Sequence, residues 1–198
     1  MIKKIAQGAF SLLVLISLAA CGQSPDVTAN AKGNKMGADT IKIGVNMELS
    51  GAVAAYGTAE YNGIKLAVKE INDKGGVDGK KLELVAKDNK SEIAESSTTA
   101  TNLAVQSQVT TIIGPATSGA TAAASLESQK TGVPLLTPSG TQDDLTTNKD
   151  GSTKDYVFRT TFKDSFQGQV LAQFAAENMN AKKVVLYYDN SSDYAQGI

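Results

Sequence analysis

The sequence predicts an α/β fold in which a parallel sheet is covered by helices on both faces. Three observations lead there. Strand candidates of alternating or apolar character take turns with helix candidates from residue 41 onward, and such alternation implies parallel strands joined by right-handed crossovers. The turn chemistry falls between these elements, with Gly75-Gly76 after a helical period and Thr137-Pro138 after a strand. The 198 residues are 41% hydrophobic and 20% charged, enough apolar surface for a packed core.

The elements follow in order. Residues 41–47 (IKIGVNM) read as a strand, and 48–57 as a loop. Over 58–74, Tyr61, Ile64, Leu66, Ala67, Val68 and Ile71 make one helical face. Residues 81–87 alternate polar and apolar through Val85, as a strand does. Ser91 is a candidate N-cap for a helix running to about Ser107. A short strand at 110–113, an Ala-rich helix at 117–130 and a strand at 133–136 come next, then a polar loop over 142–155. A strand at 156–161 precedes a helix at 165–178, with Phe166, Val170, Phe174 and Ala175 on one face. Residues 183–188 are rich in β-formers and read as a strand, and a loop and helix begin at Asp189. In such sheets ligands bind beyond the C-terminal strand ends, which directs attention to the loops at 48–57, 88–90, 114–119, 137–141, 161–164 and 189–194.

Composition excludes much chemistry. The chain has no His and one Cys. Histidine-based nucleophile activation and general-base catalysis are therefore excluded, as are His-containing zinc sites, CxxC redox chemistry and intrachain disulfides. The formal net charge is −1, so no basic field exists for nucleic acid. Gly114-Pro115-Ala116-Thr117-Ser118-Gly119 sits between strand and helix but lacks the Lys-Ser/Thr of a phosphate loop, and Ser118 is in no GxSxG elbow. The expectation is a binding protein rather than an enzyme, with no metal and no cofactor.

Residues 2–21 carry Lys3 and Lys4, an apolar run over 10–18, then Ala19-Ala20-Cys21. This is the form of a secretory signal peptide. Its apolar run is shorter than the roughly 20 residues of a bilayer span. Leu18-Ala19-Ala20-Cys21 resembles the lipobox of bacterial lipoproteins, which implies cleavage before Cys21 and lipid attachment to its thiol. Residues 21–39 are small and polar and read as a lipidated cysteine and flexible tether.

Several loop residues admit two readings each. Ser118, at a helix N-terminus, suits an anion such as a carboxylate, or it and Thr117 cap the helix. Asp164 suits an ammonium group, or caps the helix that follows it. Tyr56 and Tyr194 suit a ligand wall, or are loop packing. Asp143-Asp144 reads as solvated or capping.

Taken together, six stretches resemble the leucine/isoleucine/valine-binding proteins of bacterial ABC importers, which have the type I periplasmic-binding fold. They are IKIGVNMELSGAVAAYG (41–57), AVKEINDKGGVDGKKLELVAKDN (67–89), IIGPATSGAT (112–121), VPLLTPSGTQDDLT (133–146), VFRTTFKDSFQG (157–168) and VVLYYDNSSDYAQG (184–197). The resemblance implies that Ser118 binds a ligand α-carboxylate through its hydroxyl and N–H. Thr141 would contact both carboxylate and ammonium. The Ser139 backbone carbonyl would accept from the ammonium, and Asp164 would stand at the edge of that site. It further implies that Tyr56 lines the side-chain pocket and Tyr194 reaches the ligand from a second lobe. Ala116 and Thr117 would be small pocket residues that leave room for a branched aliphatic side chain. The implied partners are a branched-chain amino acid (Leu, Ile or Val), an importer permease and, through Cys21, the extracytoplasmic face of the cell membrane. A relative binding another small amino acid, an amide or an aromatic acid, or acting as a non-transport sensor, is the alternative.

The implied organisation is a lipoprotein signal peptide (1–20), a lipidated tether (21–39), an incomplete N-terminal ligand-binding lobe (40–180) and the start of a second lobe (181–198). The chain ends about midway through the family's usual length. Most of the second lobe, with the family's acidic ligand for the ammonium, is then absent, as are the segments that return to the first. Weak or no leucine binding by this chain is the expectation.

Overall fold

The computed structural model describes residues 33–198. The leader, Cys21 and most of the expected tether therefore lie outside the described residues. The order of elements is β1 (Thr40–Met47), α1 (Ala54–Asp73), β2 (Lys81–Asp88), α2 (Ile93–Thr101), β3 (Thr111–Ile113), α3 (Ser118–Thr131), β4 (Leu135–Thr137), β5 (Val157–Arg159), α4 (Asp164–Glu177) and α5 (Asp193–Gly197). The five strands form one sheet in the order β2-β1-β3-β4-β5, every pair parallel. No helix among the described residues is long and apolar enough to cross a membrane.

β1 is the organising strand. Its alternating side chains go to opposite faces. Ile41, Ile43, Val45 and Met47 pack toward α1, with Val68, Tyr61 and Ile64 against them. On the other face Gly44 lies close to Leu103, Val109 and Ile112. These belong to the larger cluster that Ala100, Ala124, Leu135 and Val157 complete beneath α2 and α3. The expected helices on both faces are thus present. Leu66 and Ile71, read as part of the inner face of α1, are exposed.

Four differences from the sequence expectation have physical causes. Helix α1 begins at Ala54, so Tyr56 and Gly57 sit in its first turn and not in a loop. Ser91 does not cap α2. It takes a left-handed backbone (φ 63°), and its hydroxyl accepts from Val53 N and donates to Ser50 O, while Glu92 occupies the N-cap. Helix α2 does not run to 107 as a regular α-helix but widens into a π-helical turn over Asn102–Gln106. The carbonyl of Leu103 accepts from Val109 N, and that of Ala104 from Asn34 Nδ2 at 2.6 Å. Residues 183–188 form no strand. No strand among the described residues pairs with them, and a strand without a neighbour leaves its backbone donors to water. Val185 is 92% exposed.

The described end of the expected tether, residues 33–39, is tied to the lobe. Asn34 Nδ2 also donates to Val109 O at 2.9 Å, Gly33 N to Thr131 O, and Lys80 Nζ to Gly37 O. Helix α4 is the least embedded of the long helices. Phe166, Val170, Leu171 and Phe174 are all exposed, as is Phe158 on the edge strand β5.

Candidate functional site

The loops at the C-terminal ends of the strands enclose a cavity of about 730 Å³. Tyr56, Ala116, Thr117, Ser118, Ser139, Thr141 and Tyr194 all line it, with Ser91, Phe162 and Asp193 among the other walls. Seven of the eight candidate site residues therefore share one space; Asp164 is the eighth and is not in the wall.

The 114–119 loop is shaped from both sides. Gly114 has φ 98°, and a side chain there would run into the Asn46 carbonyl, so the loop crosses β1 only as glycine. Beneath it lies Glu48, fully buried at the end of β1. One carboxylate oxygen accepts from Ala116 N at 3.0 Å, and the other from Thr117 N at 3.1 Å and Thr117 Oγ1 at 2.8 Å. Two N–H groups that an anion at this loop would otherwise find are thus taken. Thr117 stands at the N-cap of α3, but its hydroxyl is given to Glu48 and not to the helix.

Ser118 does not cap α3 either. Its Oγ accepts from Thr141 N at 3.2 Å and from Gln142 N at 3.3 Å. A hydroxyl that accepts twice still has its one hydrogen to give. That hydrogen and the first-turn N–H groups of α3, which have no intrahelical acceptor, are the donors that remain for an anion.

Thr141 is held on three sides. Its N donates to Ser118, and its carbonyl accepts from Arg159 Nη1 at 3.1 Å and Asp164 N at 3.0 Å. Arg159 also donates to the carbonyls of Gln142 and Asp143, so a guanidinium on β5 fixes the whole turn. Asp143 accepts from Ser165 N and Oγ at the start of α4. Those bonds, ahead of the nearby Lys163 and Arg159 charges, hold its carboxyl below the usual range.

Asp164 is the first residue of α4 and does not cap it. Its side chain is fully buried, and neither carboxylate oxygen has a hydrogen-bond partner among the described residues. The Gly197 backbone lies over it. Burial pushes its pKa up. The Thr141 hydroxyl opposes the rise without reaching hydrogen-bond geometry, the Asp143 charge adds to it and Arg159 opposes it. Tyr56 and Tyr194 are both partly exposed, and Gln167 Nε2 donates to the Tyr194 hydroxyl at 3.1 Å.

The loop at 48–53 is secured by Asp88. Desolvation favours its neutral form, but donors from Ser50 Oγ, Lys90 N, Leu49 N and Ser50 N outweigh that and leave its pKa low. Glu48, Glu60 and Arg159 went unnoticed in the sequence. Glu48 alone left a local trace, an acid placed directly after an apolar strand.

The cavity thus brings the N-terminus of α3 together with two tyrosines at the C-terminal strand ends of an α/β lobe. Residues 40–198 match the family described as Periplasmic binding protein, and the chain belongs to it. Among curated relatives, the Leu/Ile/Val-binding protein BraC3 of Rhizobium johnstonii is 37% identical over 158 residues, 80% of this chain and 41% of that protein. The Leu/Ile/Val-binding protein of Escherichia coli is 32% identical over 170 residues, 86% of this chain and 45% of that one. Among solved structures, the branched-chain amino acid transporter substrate-binding protein LivJ of Streptococcus pneumoniae, in complex with isoleucine, is 59% identical with a TM-score of 0.75. The match covers 80% of this chain and 44% of that one. The chain thus spans less than half the length of these relatives.

Proposed function

We propose that this chain carries the first-lobe half of a site for a branched-chain amino acid, in an extracytoplasmic solute-binding lipoprotein that serves an ABC importer. The observation that carries the reading is Ser118. It accepts two backbone N–H groups and keeps its own hydrogen for a ligand carboxylate at the N-terminus of α3. Charge-assisted bonds of this kind are about twice as strong as neutral ones. The Ser139 carbonyl and the Thr141 hydroxyl receive the ammonium, with the Asp164 carboxyl behind Thr141. Ala116 and Thr117 leave space for the aliphatic side chain, and Tyr56 and Tyr194 close its sides. The reading is of a binding protein, not an enzyme.

The test is an amide-shift titration of the isotope-labelled protein with leucine, which detects weak binding. Shifts at Ser118, Gly119 and Thr141 are expected, and Ser118→Ala abolishes them. Saturating leucine without a change at these amides defeats the reading. A response to 4-hydroxybenzoate in place of leucine moves the assignment to aromatic acids, as bound by a Rhodopseudomonas palustris solute-binding protein that is 30% identical with a TM-score of 0.62.

Lipid attachment at Cys21 is a separate element of the proposal and rests on the Leu18–Cys21 motif. In a lipoprotein-processing bacterial host the chain is expected in the membrane fraction, and Cys21→Ser in the soluble one. Equal partitioning of the two removes the anchor from the proposal.

A further inference from the structure

Ser139 Oγ lies 2.5 Å from Glu60 Oε1 and 2.8 Å from the Ala116 carbonyl oxygen. A serine hydroxyl has one hydrogen, and a carbonyl has none. If Ser139 gives its hydrogen to an ionised Glu60, its oxygen faces the Ala116 carbonyl with no hydrogen between them. If it gives its hydrogen to Ala116, its contact with Glu60 needs a hydrogen from the carboxyl. Only a protonated Glu60 satisfies both contacts. The second carboxyl oxygen, Oε2, is buried with no partner among the described residues. An orphaned oxygen costs far less on a neutral acid than on an ion.

We propose that Glu60 holds a proton in the folded chain and donates it to Ser139 Oγ, so that Ser139 donates to Ala116 O and is fixed where its backbone carbonyl faces the ligand. Glu60 is then a positioning residue. With Glu48, which meets only donors at Ala116 and Thr117, it clamps the loop through both its N–H and its C=O groups. Two acids in one site with opposite surroundings divide their roles in this way. The electrostatics agree in direction. Burial raises the Glu60 carboxyl, the Ser139 bond opposes that, and the Glu48 charge from the end of β1 adds to the rise.

The role in holding Ser139 for a ligand rests on the binding reading above; the proton itself does not. The protein, labelled with carboxyl-13C glutamate, is titrated by NMR without ligand. One glutamate carboxyl is expected to titrate above the others and to be missing in Glu60→Gln. Side-chain correlation in the unsubstituted protein assigns the signal should that variant not fold. A Glu60 signal titrating with the remaining glutamates overturns the proposal.

Stability supplies a second readout. The folded state keeps the proton to higher pH than the unfolded one, so Glu60 lowers stability as pH rises from the ordinary glutamate range through its raised folded value. Asp164 does the same, and so the comparison is between the protein and its Glu60→Gln variant. Glutamine keeps a donor toward Ser139 and removes this part of the slope; an unchanged slope overturns the proposal. Failure to bind leucine defeats the function proposed above and leaves both measurements standing.

Discussion

Replacing Glu48 with alanine is expected to destabilise the folded chain by about 3–5 kcal/mol, measured by urea unfolding. The side chain is fully buried, and it is the acceptor for Ala116 N, Thr117 N and Thr117 Oγ1. A hydrogen bond to a charged acceptor contributes about 1.5–3 kcal/mol, and a buried donor left without one costs its full desolvation. Thr117 Oγ1 can turn elsewhere, whereas the two backbone N–H groups cannot, because Gly114 pins the loop across β1. A typical domain has about 5–15 kcal/mol in total, so this one side chain carries a large share. Glu48→Gln keeps one acceptor oxygen and turns an amide donor toward the other N–H, so it recovers only part of the loss. A cost below about 1 kcal/mol for the alanine variant would mean that water replaces the carboxylate and that the loop does not depend on it.

The dependence of the loop on Glu48 shows where sequence reading reaches its limit. The sheet and helices were legible because their signals are local. The alternation in β2 and the 3.6-residue period of α1 each lie within twenty residues, and their ends came within a few positions. The loops of the site were legible by the same route, since a parallel α/β sheet puts them at the C-terminal strand ends. The bonds that hold the site are not local. Glu48 meets Ala116 across 68 positions, and Ser139 meets Glu60 across 79. Neither separation leaves a period to detect. Ser91 misled for a related reason. Serine before a helical run suggests a cap, but a tertiary bond to Val53 N uses the same oxygen. Residues 183–188 have the composition of a strand, but a strand is a property of a pair, and composition does not say whether a partner is present.

Leu135→Ala and Leu171→Ala remove the same atoms and are expected to differ by several kcal/mol. Leu135 is 0% exposed on β4. Its backbone pairs with Ile112 on one side and Val157 on the other, and its side chain joins the cluster of Ala100, Leu103, Val109, Ala124 and Val133. Truncation there opens a cavity and costs about 3–5 kcal/mol. Leu171 lies on α4 next to Val170, which the period puts on the apolar face, and is 55% exposed; its truncation costs about 0.5 kcal/mol or less. Urea unfolding of the two variants decides whether packing or residue type sets the energy. A cost for Leu171→Ala equal to that of Leu135→Ala would place α4 in a core and contradict its open face. The expected gap means that β1, β3 and β4 with α1, α2 and α3 hold the fold together. The Thr141 turn and Arg159 join that part to the start of α4 at Asp164, and so this side of the cavity depends on hydrogen bonds more than on apolar packing.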